Sequence, residues 1–266
     1  HGVTSIMISH KLKEIVSIAD TITVLRDGAT ICSMDAKGST VTEHEIIKYM
    51  VGREIENIYP KRDKVDIKDV CLEIKNWTVF SPGQDREILH NININVRRGE
   101  IVGIAGLMGA GRTELALSIF GNTPRYKIVS GEVIVDGKAR NLKHPRAAIK
   151  AGVAYVTEDR KKNGLILIQD VKYNITIANL EKLTQGFTIN NNQEITDAQK
   201  LQDSINIKTP SVRQLVGNLS GGNQQKVSVA KWLYVEPKVL ILDEPTRGID
   251  VGAKYEIYTI MNRHQF

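Results

Sequence analysis

Cysteine is scarce: Cys32 and Cys71 are the only two in 266 residues, and they lie far apart in sequence. They form neither a disulfide framework nor a metal-binding spacing, and a reducing compartment is the expected setting. Aromatic residues are scarce too, at 5%. The core must then come from Ile, Val, Leu and Ala, which suits α/β layers better than a β-sandwich. No apolar run reaches the roughly 18 residues that a membrane-spanning helix needs. The opening stretch "HGVTSIMISHKLKE" has too short an apolar part for a signal peptide. It also lacks an initiator Met, as a piece of a longer protein would. Internal repeats and long low-complexity tracts are lacking as well.

What is present is ordinary for a soluble globular protein: 41% hydrophobic and 25% charged residues. The net charge of +6 and pI near 9.2 make it mildly basic. Nucleic-acid binding would gather that charge on one face with stacking aromatics. Here the densest basic runs are short: Lys61-Arg62, Arg97-Arg98 and Arg160-Lys161-Lys162. A phosphate ligand accounts for such charge equally well.

The chain divides at a charged stretch, "REIENIYPKRDKVDIKD". Before it, "SIMIS" reads as a short buried strand and "HKLKEIVSIAD" as a helix with Leu12, Ile15, Val16 and Ala19 on one face. "TITVLRDGATICSMD" reads as a hairpin turning at Asp27-Gly28. "TEHEIIKYMVG" carries Thr42 and Glu45 in capping-box spacing and stops at Gly52. That is too little for an independent core, and we read it as the end of a preceding domain. After the linker, "LEIKNWTVF" and "ILHNININV" alternate as half-buried antiparallel strands do, whereas "EIVGIAG" and "KVLILD" are continuous apolar runs, as for strands covered on both faces. "GEVIVDG" and "VAYV" supply further strands. Helices are predicted at 112–120, 144–151, 193–205, 221–234 and 251–262, with "INNNQE" as a polar loop.

"GLMGAGRT", residues 106–113, matches the phosphate-loop pattern G-x-x-x-x-G-K-[ST] except that Arg112 replaces lysine. An apolar run leads into it and a helical pattern follows. Successive amides of Gly106, Leu107, Met108, Gly109, Ala110 and Gly111 would cradle phosphate oxygens, helped by the helix N-terminus. Gly109 and Gly111 let the backbone approach without a Cβ in the way. The Thr113 hydroxyl would ligate Mg²⁺. Downstream, "VLILDEP" ends in Asp243 and Glu244, which places one carboxylate for Mg²⁺ and the next for the attacking water. "NLSGGNQQK" puts Ser220, Gly221 and Gly222 at a helix start, a second anion-binding corner.

Taken together, "GLMGAGRTEL", "TEDRKKNGL", "LSGGNQQK" and "EPTRGIDVGAK" resemble the second nucleotide-binding domain of bacterial monosaccharide-import ABC ATPases, of the ribose, galactose and xylose type. The resemblance covers nearly the whole chain. It implies a P-loop NTPase of α/β class, with a mostly parallel core sheet, an antiparallel β subdomain and a helical subdomain. Residues 1–58 would be the C-terminal part of a first domain, 59–69 a linker, and 70–266 a second domain cut short at its C-terminus. "MISHKLKEI" would hold the first domain's switch histidine, His10. His264, near the chain end, lacks a preceding strand and is left unassigned. Glu158 falls where the family usually has the Q-loop glutamine, and Asp250 where it has the D-loop aspartate. Arg112 is similar to what the family's second domain carries.

The resemblance further implies ATP and Mg²⁺ as ligands, ATP hydrolysis coupled to sugar import, and a place on the cytoplasmic face of the cell membrane. The implied partners are permease subunits, through them a periplasmic or lipid-anchored sugar-binding protein, and a paired nucleotide-binding domain; no nucleic acid is expected. Glu244 and His10 would be the catalytic residues, and Thr113 with Asp243 the metal ligands. Phe80 is the candidate for stacking on adenine, with Trp77 in reserve. The alternative is a tandem ABC ATPase acting on ribosomes or DNA, which would carry a long basic or helical insertion; residues 113–219 show none. A generic P-loop kinase would have no use for "LSGGN".

Overall fold

The structure is a computed structural model that describes residues 3–9, 11–26, 28–37, 41–52, 59–62, 65–121, 125–186 and 188–263. It forms two compact units, one of residues 1–61 with 248–262, the other of 62–247 with 263–266.

The first unit begins with α1 (Leu12–Ile18), β1 (Thr21–Arg26), β2 (Ala29–Asp35) and α2 (Glu43–Val51). The predicted hairpin is present: β1 and β2 pair antiparallel from Thr21↔Asp35 to Arg26↔Ala29, and Gly28 turns with φ +79°. Asp27, its expected partner in the turn, lies outside the described residues. The Thr42 hydroxyl caps α2 by accepting the Glu45 N–H, and Gly52 ends the helix in the left-handed region. Leu12, Ile22, Val24, Ile46 and Ile47 form the core, with Ile15, Val16 and Ala19 packed against it as the helical spacing predicts. "SIMIS" is not the buried strand expected. Residues 5–9 bond to no strand, and Ile6 and Ile8 are 92% and 95% exposed. A strand needs a neighbour's N–H and C=O groups, and none of the described segments offers them there.

In the second unit, β3 (Val70–Ser81), β4 (Arg86–Arg97), β5 (Lys127–Val135) and β6 (Lys138–Arg140) make an antiparallel sheet of order β4-β3-β5-β6. Alternation along β3 buries Leu72, Ile74, Trp77 and Val79. Its register with β5 shifts between Lys75 and Thr78. There Gly131 adopts φ +99°, and a Cβ on it would lie 2.5 Å from the Lys75 carbonyl oxygen, so no other residue fits without displacing backbone. Between β4 and β5 runs α3 (Arg112–Phe120).

Next come α4 (Pro145–Ala151), β7 (Val153–Val156), a π-helical turn at Arg160–Gly164, α5 (Val171–Thr176), the two-residue strands β8 (Thr184–Gln185) and β9 (Thr188–Ile189), α6 (Asn191–Ser204), α7 (Gly221–Leu233) and β10 (Val239–Leu242). β7 is wholly buried and pairs in parallel with β10, Val153↔Val239 through Val156↔Leu242. The helical region is tied by a buried carboxylate: Glu194 accepts from Lys172 Nζ at 2.8 Å and from the Thr176 hydroxyl at 2.9 Å. The chain continues into α8 (Val251–Arg263), whose Val251 and Tyr255 pack on the first unit's core.

Two expectations for this unit need correction. "EIVGIAG" forms no regular element and is bonded to no strand, and Ile101, Val102 and Ile104 are exposed rather than covered. Its apolar character is that of an interior strand, yet β10 is bonded to β7 alone among the described strands. "INNNQE" is not all loop: α6 starts at Asn191 because the Asn190 side chain accepts the N–H groups of Asn192 and Gln193. Asparagine is as good an N-cap as a turn former.

Candidate functional site

The 106–113 loop is exposed through Ala110 and then turns inward at buried Gly111 into the N-terminus of α3. Leu107 and Met108 point their side chains into solvent. The Ala110 N–H closes a turn onto the Leu107 carbonyl at 3.1 Å. Among the described residues, the amides of Met108, Gly109 and Gly111 have no partner in the chain. Gly111 sits at φ +88°, and a Cβ there would press to 2.8 Å on Leu89. It is the N-cap of α3 without a capping side chain, so the helix's first N–H groups stay available. Free amides at a glycine-rich bend before a helix fit an anionic phosphate. Thr113 is half-buried in the first turn.

At the end of β10 the two acidic residues differ in setting. Asp243 is 9% exposed; its N–H donates to the Val156 carbonyl at 3.0 Å, and its Oδ2 accepts the Tyr155 hydroxyl at 3.0 Å. Glu244 is exposed and holds φ +45°, a left-handed conformation that a non-glycine residue adopts at a cost. Its Oε1 accepts from Arg112 Nη1 at 3.1 Å. The loop and the acidic strand end, 132 residues apart in sequence, therefore meet. One carboxylate oxygen and one hydroxyl are hard oxygen donors of the kind Mg²⁺ takes with phosphate oxygens and water. Among the described residues no cluster of three or more His, Cys, Asp or Glu side chains forms, so a divalent ion here would depend on phosphate for its remaining ligands.

The two aromatic candidates separate clearly. Trp77 is buried, and its indole N–H donates to the Ser118 hydroxyl at 3.0 Å, pinning α3 to the antiparallel sheet. It is a core residue, which corrects its place in reserve as a stacking side chain. Phe80 is half-exposed near the end of β3, paired across the sheet with Glu87 and Lys127.

The serine-glycine segment starts a helix, as expected. The Ser220 side chain accepts the Asn223 N–H and caps α7, with Gly221 as its first residue and buried Gly222 next. Asn223 also bonds through its own amide to Ser220 Oγ and holds the Lys208 N–H. Glu158 is half-buried and ion-paired with Arg247, whose carbonyl accepts from Arg160. In the first unit, Asp250 caps α8 by accepting the Ala253 N–H at 2.9 Å. His10 lies outside the described residues, as does His264.

Tyr155 is the residue that pattern reading passes over. In "VAYV" it looks like one more core position, and no motif marks its hydroxyl. The signal was a polar tip within a strand otherwise buried on both faces.

Residues 89–247 match the ABC transporter family profile. The chain is 56% identical over 98% of its length to the L-arabinose transport ATP-binding protein AraG of Geobacillus stearothermophilus. It is 54% identical over 99% of its length to the xylose import ATP-binding protein XylG of Thermoanaerobacter pseudethanolicus. It spans about half of each of these curated relatives, 51% of their length. Among solved structures, a nucleotide-free ATP-binding cassette from an ABC transporter aligns with a TM-score of 0.62 at 20% identity, over 73% of this chain and 76% of that one. CbiO1 of Clostridium perfringens aligns with a TM-score of 0.57 at 24% identity, over 74% of each chain. These likenesses establish the fold as that of an ABC-type ATPase domain of α/β class.

Proposed function

The chain belongs to the ABC transporter family, and from that premise we propose that it is part of a tandem ATP-binding subunit that energises monosaccharide import. In this reading residues 1–58 end a first nucleotide-binding domain, 59–69 link, and 70–266 form most of a second. The partners are a permease, the sugar-binding protein that delivers to it, and a facing nucleotide-binding domain. The chain would work on the cytoplasmic face of the membrane as a peripheral subunit. In keeping with that, no helix among the described residues is long and apolar enough to cross a bilayer.

The observation that carries the reading is the 3.1 Å contact between Arg112 and Glu244, because it joins a phosphate loop to an acidic strand end. The amides of Met108, Gly109 and Gly111 and the Arg112 guanidinium would hold the phosphates of ATP; the Ala110 N–H, expected in the same cradle, is instead spent on the Leu107 carbonyl. Thr113 and Asp243 would hold Mg²⁺, which when bound supplies charge neutralisation at the phosphates. Glu244 would orient the attacking water. Ser220, Gly221 and Gly222 would clamp a nucleotide presented by the facing domain; Asp250 would be the D-loop aspartate and His10 the first domain's switch histidine. Glu158 replaces the usual amide with a carboxylate, and Arg112 replaces a compact ammonium with a planar fork. Both substitutions support a site that binds ATP and hydrolyses it slowly, beside a faster first site.

The test is association. Full-length protein should co-purify in detergent with a polytopic sugar permease and remain in the supernatant when ribosomes are pelleted. Co-sedimentation with ribosomes without permease binding would favour the nucleic-acid alternative. Phe80 provides a local check. Base stacking on an aromatic contributes about 1–3 kcal/mol, so Phe80→Ala should weaken Mg-ATP binding about fivefold or more by fluorescence titration. An unchanged affinity would remove Phe80 from the adenine site.

A further inference from the structure

One buried contact enters the site from a residue to which the function above gives no part. Tyr155 is 5% exposed in β7, and its hydroxyl donates to Asp243 Oδ2 at 3.0 Å. The Thr157 side chain, also buried, lies beside the same phenol. The Tyr155 ring is held by Phe120 of α3, with centroids 5.6 Å apart, and Phe120 is met edge-on by Trp232 of α7 at 5.3 Å. Asp243 is therefore fixed twice by one strand: its N–H by the Val156 carbonyl, its side chain by Tyr155.

A buried carboxylate has few ways to be satisfied. Oδ2 has a neutral donor, and among the described residues no donor bonds Oδ1.

We infer that Tyr155 is a positioning residue for the metal ligand: its hydroxyl, steadied by Thr157, holds the Asp243 carboxylate in one rotamer and leaves Oδ1 for Mg²⁺. This rests on the reading of the second unit as a Mg-nucleotide site. Outer partners of a ligating side chain commonly carry about ten- to hundredfold of metal affinity. Thr157 immediately precedes Glu158, so the same relay ties the metal ligand to the segment at the Q-loop position.

The test is Tyr155→Phe in the full chain, which keeps the ring against Phe120 and removes one oxygen. The probe is a fluorescent ATP analogue titrated first in excess EDTA and then with increasing Mg²⁺. The half-saturating Mg²⁺ concentration should rise about tenfold, while metal-free nucleotide affinity stays within about twofold. Thr157→Val should shift the Mg²⁺ midpoint in the same direction by about threefold; it serves alone if Tyr155→Phe does not fold. An unmoved Mg²⁺ midpoint, or an equal loss in EDTA, overturns the role of Tyr155. Failure of the unaltered chain to bind the nucleotide at all overturns the site itself, and the Tyr155 role with it.

Discussion

Glu244→Gln is expected to lower nucleotide turnover at this site by about a hundredfold while leaving ATP bound as tightly as before, or up to about fivefold more tightly. The carboxylate is the general base in the proposed reaction, and glutamine keeps its shape without its charge. The gain in binding comes from Arg112. Its guanidinium is paired with Glu244 at 3.1 Å, with side-chain exposures of 34% and 48%. Phosphate must draw that cation away from the carboxylate. An ion pair this exposed contributes about 0.2–1 kcal/mol, which sets the ceiling on the gain. Single-turnover hydrolysis and equilibrium titration separate the two effects. Loss of binding in Glu244→Gln would mean that the carboxylate holds the loop rather than the water. In the proposed tandem protein the same change should remove only a minor share of total turnover if, as proposed, the Arg112 site is the slower. If it abolishes turnover as thoroughly as its first-domain counterpart, the two sites are equal and the proposed asymmetry fails.

Raising the pH from 8 to about 10.5 should stabilise the fold by up to about 3 kcal/mol through Lys231 alone. This side chain is 9% exposed on α7, its ammonium donating to the Gly164 carbonyl and lying 4.8 Å from the Trp232 ring centroid. Burial pushes its pKa down to about 8. Among the described residues no carboxylate pairs with it. In the unfolded chain lysine keeps its ordinary value near 10.4. Below pH 8 both states carry the proton and the folded state bears the full penalty of a buried charge. Between the two values the unfolded state alone stays protonated, so stability rises with pH. Lys231→Met removes the titrating group. Urea unfolding across this pH range should show a difference between the two proteins that closes as pH rises. Parallel profiles would show that Lys231 titrates normally in the folded state.

Local chemistry was legible wherever a residue acts on its own backbone. Thr42 and Gly52 bound α2, Pro145 opens α4, and Ser220 caps α7, each through contacts within a few positions. The glycine bend before α3 and the serine that starts α7 were likewise readable, because helix starts are set by residues a few positions apart. Asn190 was misread because the same side-chain hydrogen bonds serve turns and helix starts alike.

Composition favoured α/β layers over a β-sandwich, and apolar runs marked 100–106 and 5–9 as segments fit for strands. Whether they become strands was decided elsewhere, since a strand is completed by a neighbour and neither segment is bonded to one here. Only the tertiary structure set Trp77 into the core against Ser118, closed Arg112 onto Glu244, and put the Tyr155 hydroxyl on Asp243 across 88 residues of sequence. Those contacts join distant positions through packing, and nothing in the spacing of a single chain encodes which side chains packing will bring within 3 Å of one another.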